Sequence, residues 1–260
     1  MENKSCFTVR NLSFSYGEKQ ILRNLTLEIQ KGKITTLMGA NGCGKSTLFQ
    51  LLTKNLRPDA GQILLGDTPL ERLSLNEFSR KVAIVHQSNS APGDLTVERL
   101  VAYGRIPYTR MGRALSKEKD EQMVERAMQI TGILGIRKKP IAALSGGQRQ
   151  RVWIAMAIAQ GTGILLLDEP TTYLDVRYQL QILRLVRQLN QKLGITILMV
   201  LHDINQALYY SDEIVALSPK GTLVTQGTPA KTITSEMLRE VYGITLDTME
   251  HEGKKLVLTV

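Results

Sequence analysis

The sequence of 260 residues has few of the features that mark secreted, membrane-spanning or disordered chains. It contains only two cysteines, Cys6 and Cys43, which excludes a disulfide framework and favours a reducing compartment. Its longest strongly apolar runs, 164–167 and 195–201, are far shorter than the roughly 20 residues that span a bilayer. The first ten residues contain no apolar core, so a signal peptide is not expected. With 43% hydrophobic residues, the chain can instead bury a sizeable core.

Positive charge is in excess, and it is concentrated in one part of the chain. The sequence has 33 Lys and Arg residues against 24 Asp and Glu, a formal net charge of +9. Residues 104–151 hold eleven of the basic residues and only four acidic ones. A basic surface of this kind favours contact with nucleic acid, an anionic membrane or nucleotide phosphates. The simplest alternative is a solvated helical face.

Predicted strands alternate with helices at both ends of the chain, and a helical stretch lies between them. The predicted strands lie at 7–10, 25–29, 34–38, 82–86, 164–167, 195–201, 214–217 and 223–225. The predicted helices lie at 46–54, 176–193 and 204–210. Residues 95–160 are predicted to be mostly helical, with Ser116 as an N-cap. This order indicates an α/β fold with a mostly parallel sheet and an inserted helical subdomain.

A glycine-rich loop between a predicted strand and a predicted helix carries a phosphate-binding motif. Residues 39–47 fit the pattern G-x-x-x-x-G-K-[ST] without a mismatch. The glycines let backbone N–H groups curl around a polyphosphate, and the following helix directs its positive N-terminus at the same anion. Lys45 can reach the β- and γ-phosphate oxygens, and the Ser46 hydroxyl can bind Mg²⁺. Because this chemistry needs no cysteine, Cys43 is predicted to be a packing residue.

Acidic and imidazole side chains follow two further predicted strands. Asp168 and Glu169 come directly after one apolar strand, and His202 follows the next strand along the chain. Ligands of open α/β sheets bind beyond the carboxyl ends of the strands. Asp168 is therefore expected near Mg²⁺, Glu169 near an attacking water and His202 near the γ-phosphate. His86 and His251 have no such context and are predicted to be structural.

The sequence Leu-Ser-Gly-Gly-Gln at 144–148 points to a family. Together with the phosphate loop upstream and the strand that ends in Asp168 and Glu169 downstream, it closely resembles the ATP-binding-cassette (ABC) ATPases. The resemblance covers residues 7–244, nearly the whole chain. It implies that each ATP lies between the phosphate loop of one subunit and residues 145–147 of the other. Such an arrangement requires a head-to-tail pair of subunits related by twofold symmetry.

Individual roles follow from the same resemblance. Tyr16 matches the aromatic residue that stacks on adenine, and Asp175 matches a loop that crosses the dimer interface. Gln87 matches the glutamine that senses Mg²⁺ and links to the transport subunit. The expected nucleotide-binding residues are Tyr16, Gly39, Asn41, Gly42, Gly44, Lys45, Ser46, Thr47, Ser145, Gly146, Gly147 and Gln148. The expected metal ligands are Ser46, Gln87 and Asp168, and the expected catalytic residues are Glu169, His202, Lys45 and Gln87.

The resemblance also implies the architecture and the partners. It implies a P-loop NTPase (RecA-like) core with a mostly parallel sheet, an N-terminal antiparallel β subdomain and an inserted α-helical subdomain. The expected domains are the ATP-binding core at 1–88 and 159–243, the helical subdomain at 89–158 and a C-terminal tail at 244–260. ATP and Mg²⁺ are the expected cofactors. The expected partners are membrane permease subunits, a second ATPase subunit and, indirectly, a substrate-binding protein, at the cytoplasmic face of the membrane; nucleic acid is not expected.

The branch of the family is suggested by stretches similar to importers of iron–siderophore complexes. These stretches lie at 102–107, 150–157, 169–175 and 200–207. Haem and cobalamin importers share much of this pattern and stay open as alternatives. A cytosolic ATPase of the same fold acting on nucleic acid is a further alternative, although the chain has one phosphate loop and no heptad run. A small-molecule kinase would leave residues 145–148 unexplained.

Docking of the permease is expected near Gln87 and the segment 91–113. Three basic residues of that segment are expected to lie near the permease and the lipid headgroups of the inner leaflet: Arg105, Arg110 and Arg113. The basic residues at 104–151 are thus expected to lie at a nucleotide interface and near an anionic membrane surface.

Overall fold

The chain forms two compact units, of which the first contains Met1–Leu73 and Thr196–Val260 and the second Ser74–Ile195. The computed structural model describes residues 4–110, 113–114, 116–251 and 254–258. In this described part, none of the helices has the length and hydropathy that crossing a bilayer requires. These boundaries differ from those of the expected core, helical subdomain at 89–158 and tail at 244–260. The expected division stays a prediction.

Strands and helices alternate along most of the chain. The strands are β1 (Ser5–Tyr16), β2 (Lys19–Gln30), β3 (Ile34–Gly39), β4 (Ala60–Leu65), β5 (Thr68–Pro69), β6 (Val82–Val85), β7 (Thr109–Arg110), β8 (Arg113–Ala114), β9 (Ile164–Leu167), β10 (Thr196–Val200), β11 (Glu213–Leu217), β12 (Leu223–Gly227), β13 (Thr248–His251) and β14 (Lys254–Val257). The helices are α1 (Lys45–Leu52), α2 (Leu75–Ser79), α3 (Val97–Ala102), α4 (Lys117–Ile130), α5 (Gly146–Ala159), α6 (Val176–Leu193), α7 (Ile204–Tyr210), α8 (Pro229–Thr232) and α9 (Ser235–Tyr242).

An antiparallel sheet in the order β2-β1-β4-β5 belongs to the first unit. Phe7 of β1 lies between Ile29 of β2 and Leu65 of β4, and all three side chains are buried. The expected N-terminal antiparallel β subdomain is therefore confirmed. β1 and β2 are longer than predicted because their pairing continues through polar residues and irregularities, among them Asn11 with a φ of 48°. An apolar pattern does not detect such extensions.

Parallel strands β10, β3 and β11 form the second sheet of the first unit, and β12 pairs antiparallel with β11. Every residue of β3, β10 and β11 is buried. Burial on both faces explains why these strands are continuous apolar runs without alternation. The expected parallel sheet is confirmed. Because β3 and β10 are parallel neighbours, the segments that follow them emerge at the same edge of the sheet.

The second unit combines the parallel pair β6 and β9 with helices α2 to α6. α6 has the predicted bounds because both of its ends are capped. The Asp175 carboxylate accepts the N–H of Tyr178 at 3.0 Å, and Gly194 ends the helix with a φ of 66°. Ser116 precedes α4 as predicted but makes no side-chain capping bond.

Arg105, in the basic stretch of the second unit, is buried. Its Nε donates to Asp120 Oδ1 at 2.8 Å, and its Nη1 donates to the Ala159 carbonyl at 2.8 Å. Arg105 therefore does not present its guanidinium to lipid headgroups, because the group is bonded to internal partners. Its expected closeness to the permease stays a prediction. The side chains of Arg110 and Arg113 lie outside the described residues, as does that of His251.

Candidate functional site

The predicted phosphate loop connects β3 to α1 in the first unit. The buried Lys45 amine donates to the Gly39 carbonyl at 2.8 Å and to the Ala40 carbonyl at 3.0 Å, so it lies within the curve of the loop. Asn41 and Gly42 are exposed at its rim. Gly44 precedes α1 with a φ of 103°, a backbone conformation that favours glycine. The predicted motif therefore forms the turn between β3 and α1, with the Lys45 ammonium bonded to its first two carbonyls.

The first turn of α1 supplies the rest of the loop's binding capacity. Backbone N–H groups at a helix N-terminus have no partner within the helix, and the helix dipole adds partial positive charge there. Ser46 lies in this turn with an exposed side chain, whereas Thr47 is buried. The arrangement is that of an anion site with a hydroxyl available to a cation.

The loop packs closely against the side chain of Cys43. A Cβ added to Gly39 would lie 2.4 Å from Cys43 Sγ and 3.0 Å from the Leu217 carbonyl, so only glycine fits there. Cys43 is buried, and burial raises the pKa of its thiol although Lys45 lowers it. A thiol in this environment is unreactive, as expected of a packing residue.

Tyr16 lies beside the helix that follows the phosphate loop. Its hydroxyl donates to Gln50 Oε1 of α1 at 3.4 Å, and its ring meets the Phe14 ring edge-on with centroids 4.9 Å apart. The ring is 49% exposed. An exposed aromatic ring held near an anion site can stack on a planar base.

His202 follows β10 and is exposed. β3 and β10 are parallel neighbours, so His202 and the phosphate loop lie at the same edge of the sheet. Asp203 fixes the next turn, since its carboxylate accepts the N–H of Gln206 at 2.8 Å and caps α7. Within the first unit, the structure thus brings two predicted site elements to one edge.

Glu169 and Gln87, two of the predicted site residues, are hydrogen-bonded to each other in the second unit. β6 and β9 are parallel partners, and Gln87 follows the first while Glu169 follows the second. Gln87 Nε2 donates to Glu169 Oε2 at 2.6 Å. Thr172 Oγ1 donates to the same oxygen at 3.0 Å. The backbone N–H of Asp168 donates to the Val85 carbonyl at 2.9 Å, which ties the acidic pair to β6.

Glu169 also has a strained backbone. Its φ is 48°, in the left-handed region that a non-glycine residue adopts only at a cost in free energy. Two hydrogen bonds, from Gln87 and Thr172, hold one oxygen of its carboxylate in place. Thr172 was not among the expected site residues; its position three residues after Glu169, between a predicted strand and a predicted helix, was the available signal.

Residues 145–148 begin α5 in the second unit. The Ser145 hydroxyl accepts the N–H of Gln148 at 3.3 Å, and the Gln148 side chain accepts the N–H of Ser145 at 3.2 Å. This reciprocal pair is a capping box. A Cβ added to Gly147 would lie 2.4 Å from the Tyr178 ring, whereas one added to Gly146 would be 3.5 Å from its nearest neighbour, Leu174. The two glycines therefore have different roles.

Gly147→Ala is expected to destabilise the protein by about 1–3 kcal/mol, because the new methyl group overpacks the contact with Tyr178. Gly146→Ala is the matched control and is expected to unfold at the wild-type urea concentration or slightly above it. Urea midpoints of both variants check this. Equal midpoints would contradict the packing role of Gly147. Lower ATPase activity of Gly146→Ala at unchanged stability would indicate that Gly146 contacts the nucleotide.

Each unit can therefore contribute a distinct chemistry. The first holds an anion-binding loop with a lysine, a hydroxyl and a nearby aromatic ring and imidazole. The second holds a glutamate fixed by an amide and a hydroxyl, an adjacent aspartate and a capped glycine-rich helix start. The roles of these residues in binding and catalysis stay predictions.

Known proteins provide an independent comparison. The family model described as "ABC transporter" matches residues 22–172. The iron(3+)-hydroxamate import ATP-binding protein of Bacillus subtilis is 45% identical over 91% of this chain and 87% of its own length. The ferric enterobactin transport ATP-binding protein of Escherichia coli is 42% identical over 90% of this chain and 85% of its own. A solved metal-chelate type ABC transporter in an inward-facing conformation superposes with a TM-score of 0.83 at 28% identity, covering 97% of this chain and 96% of that one.

Proposed function

Because the chain belongs to the ABC transporter family, we propose that it is the ATP-hydrolysing subunit of a membrane importer for iron–siderophore complexes. The observation that carries the cargo assignment is the similarity, over nine-tenths of the chain, to ATP-binding proteins of hydroxamate and enterobactin uptake. The ATPase assignment is supported by the phosphate loop around Lys45.

ATP binds at the phosphate loop in this proposal. The phosphates replace the Gly39 and Ala40 carbonyls as partners of the Lys45 ammonium. Their oxygens also accept hydrogen bonds from backbone N–H groups of the loop and the first turn of α1. Adenine stacks on the exposed ring of Tyr16. The negative charge of the phosphates and the positive charge of the ammonium then attract each other.

The residues proposed to hold Mg²⁺ fit the ion chemically. Mg²⁺ prefers oxygen ligands and retains several waters. The Ser46 hydroxyl, the Gln87 amide oxygen and the Asp168 carboxylate are hard oxygen donors, and the Asp168 backbone is fixed to Val85. When bound, Mg²⁺ neutralises charge on the β- and γ-phosphates.

Glu169 is proposed to orient the attacking water and to accept its proton. The hydrogen bonds from Gln87 and Thr172 leave the carboxylate little rotational freedom, so it is preorganised for that task. The other proposed group at the γ-phosphate is His202, which the capped start of α7 holds at the end of β10. Preorganised groups of this kind lower the barrier without moving during the reaction.

A second copy of the chain is proposed to complete each nucleotide site. Residues 145–148 form a capped helix start with exposed Ser145 and Gly146, which suits them to the γ-phosphate bound by a partner subunit. Tyr173, in the loop before α6, is 90% exposed, and Val176, the first residue of α6, is 70% exposed, as expected of residues that a partner covers. A twofold pair would then enclose two ATP molecules.

Separate permease subunits are proposed to dock on the second unit, at the cytoplasmic face of the membrane. Leu75, Tyr103 and Ile106 are large apolar residues with 71%, 50% and 60% exposure. Exposed apolar side chains of this size mark surfaces for protein contact. Gln87, which contacts Glu169, would connect such a contact to the hydrolysis site.

Reconstitution in liposomes tests the proposed function. ATP hydrolysis is measured for the chain alone, with its permease, and with permease and binding protein loaded with ferric siderophore, haem or cobalamin. The siderophore-loaded protein is expected to stimulate hydrolysis and the other two are not. Stimulation by haem or cobalamin alone would reassign the cargo. Tight, salt-sensitive binding of DNA or RNA with no effect of any permease would instead favour the nucleic-acid alternative.

A further inference from the structure

The C-terminal segment, residues 235–251 and 254–258, is held together by internal hydrogen bonds, and the sequence motifs do not explain it. It contains α9 and the hairpin of β13 and β14. The Ser235 hydroxyl donates to the Leu246 carbonyl at 3.2 Å, and the N–H of Leu258 donates to the Asp247 carbonyl at 2.9 Å. These bonds join the start of α9 and the end of the hairpin to the intervening chain.

The end of α9 lies beside the phosphate loop. Tyr242 is the last residue of α9, and its hydroxyl oxygen is buried without a hydrogen bond among the described residues. Burial raises the pKa of Tyr242 to about 12, while the facing backbone of Gly39 lowers it and Cys43 raises it further. Gly39 and Cys43 already pack with no space for a Cβ. The buried Tyr242 hydroxyl therefore lies beside the backbone of the loop that holds Lys45.

The end of the hairpin contacts α7. Asn205 Nδ2 donates to the Val257 carbonyl at 3.0 Å, and the Val257 N–H donates to Asn205 Oδ1 at 2.9 Å. The Asn205 amide thus bonds both backbone groups of Val257, as the backbone of a neighbouring strand would. Asn205 lies three residues after His202, in the first turn of α7. The hairpin thus holds the helix whose start fixes His202.

We propose that the C-terminal segment is a positioning element of the nucleotide site, with Tyr242 supporting the phosphate loop and the pair of Asn205 and Val257 fixing α7 behind His202. The proposal rests on the proposed ATPase function. Neither Tyr242 nor Asn205 touches the reacting atoms; both act through the residues that do. Displacements of about 1 Å in such supporting structure can change rates by as much as about 100-fold.

The two contacts should affect different steps. The phosphate loop binds ATP in the ground state, so loss of its support raises the KM for ATP. His202 is assigned to the hydrolysis step, so loss of the α7 contact lowers kcat. A segment that only stabilised the fold would change the melting temperature and neither constant.

Steady-state ATPase kinetics and melting temperatures of full-length variants test this separation. Tyr242→Leu is expected to raise KM about tenfold with little change in kcat, because the ring no longer supports the loop. Tyr242→Phe keeps the ring and is expected to restore the wild-type KM. Tyr242→Met, with an apolar side chain of similar length, replaces the leucine variant if that variant does not fold.

Asn205→Ala is expected to lower kcat about tenfold at an unchanged KM, since it removes both bonds to Val257. Asn205→Asp keeps the acceptor for the Val257 N–H and is expected to give an intermediate kcat. Val241→Ala, a buried residue of the same α9, is the control for stability alone.

Three results would overturn the proposal. One is a change confined to melting temperature in the Tyr242 and Asn205 variants, as in Val241→Ala. Another is the reverse assignment, in which the Tyr242 variants change kcat and the Asn205 variants change KM. The third is failure of Tyr242→Phe to restore the wild-type KM. Absence of ATP hydrolysis in the wild-type chain with its permease would instead contradict the proposed function itself, so the two failures are distinguishable.

Discussion

Glu169→Gln is expected to bind ATP as tightly as the wild type and to hydrolyse it about 100- to 10,000-fold more slowly, the usual contribution of a general base. Glutamine has the same shape, and its amide oxygen can accept the hydrogen bonds of Gln87 and Thr172. What it loses is the capacity to take a proton from water. Single-turnover hydrolysis and equilibrium ATP binding measure the two effects separately.

The matched control is Glu71→Gln, which removes the same charge from an exposed residue outside the proposed site. Its turnover should equal that of the wild type. Because Glu169→Gln retains ATP, it should also form a stable dimer in the presence of ATP and Mg²⁺, seen as a doubled mass in light scattering. Near-normal turnover of Glu169→Gln would remove Glu169 from the catalytic role, and a monomer with bound ATP would favour a kinase.

Lys45→Ala is expected to weaken ATP binding about 10- to 150-fold, since a hydrogen bond to a charged group contributes about 1.5–3 kcal/mol. The substitution also leaves the Gly39 and Ala40 carbonyls without their donor, which should lower stability by about 1 kcal/mol. Isothermal titration with ATP and urea unfolding measure the two quantities.

Lys31→Ala provides the control for charge, because Lys31 is exposed in the turn before β3. It should bind ATP like the wild type. Lys45→Arg tests geometry: the planar guanidinium does not fit a curve built around an ammonium, so it should bind ATP poorly despite its charge. ATP affinity of Lys45→Ala within threefold of the wild type would contradict the binding role of this loop.

Elements with capping residues or continuous apolar runs could be predicted from the sequence. The bounds of α6 follow from Asp175 and Gly194, and β9 is an uninterrupted apolar strand that stops at Asp168. The phosphate loop was identified by a motif whose spacing the chemistry requires. In each case the signal lies within the element itself, so local sequence is sufficient.

Contacts between residues far apart in sequence could not be predicted in this way. Arg105 was expected at the surface because it lies in a basic stretch, but its partner Ala159 is 54 residues away. Asn205 and Val257 are separated by 52 residues and by five elements of structure. Arginine and asparagine are usually exposed, so only the fold shows that these two are bonded internally.

The extended bounds of β1 show a related limit. Its second half contains Asn11 and Ser13, polar residues of types that are common in turns, and Asn11 has a positive φ. The pairing with β2 and β4 on both sides keeps the strand continuous. Tertiary pairing therefore overrides local propensity at this position.

The left-handed backbone of Glu169 has a consequence for how substitutions at this position should be selected. Glycine or asparagine would satisfy φ 48° at lower cost, so folding stability alone would favour either one at position 169. A selection that scores only thermostability would therefore remove this glutamate, and one that scores ATP turnover would retain it. With the catalytic role proposed for Glu169, position 169 is expected to be one where higher stability costs activity.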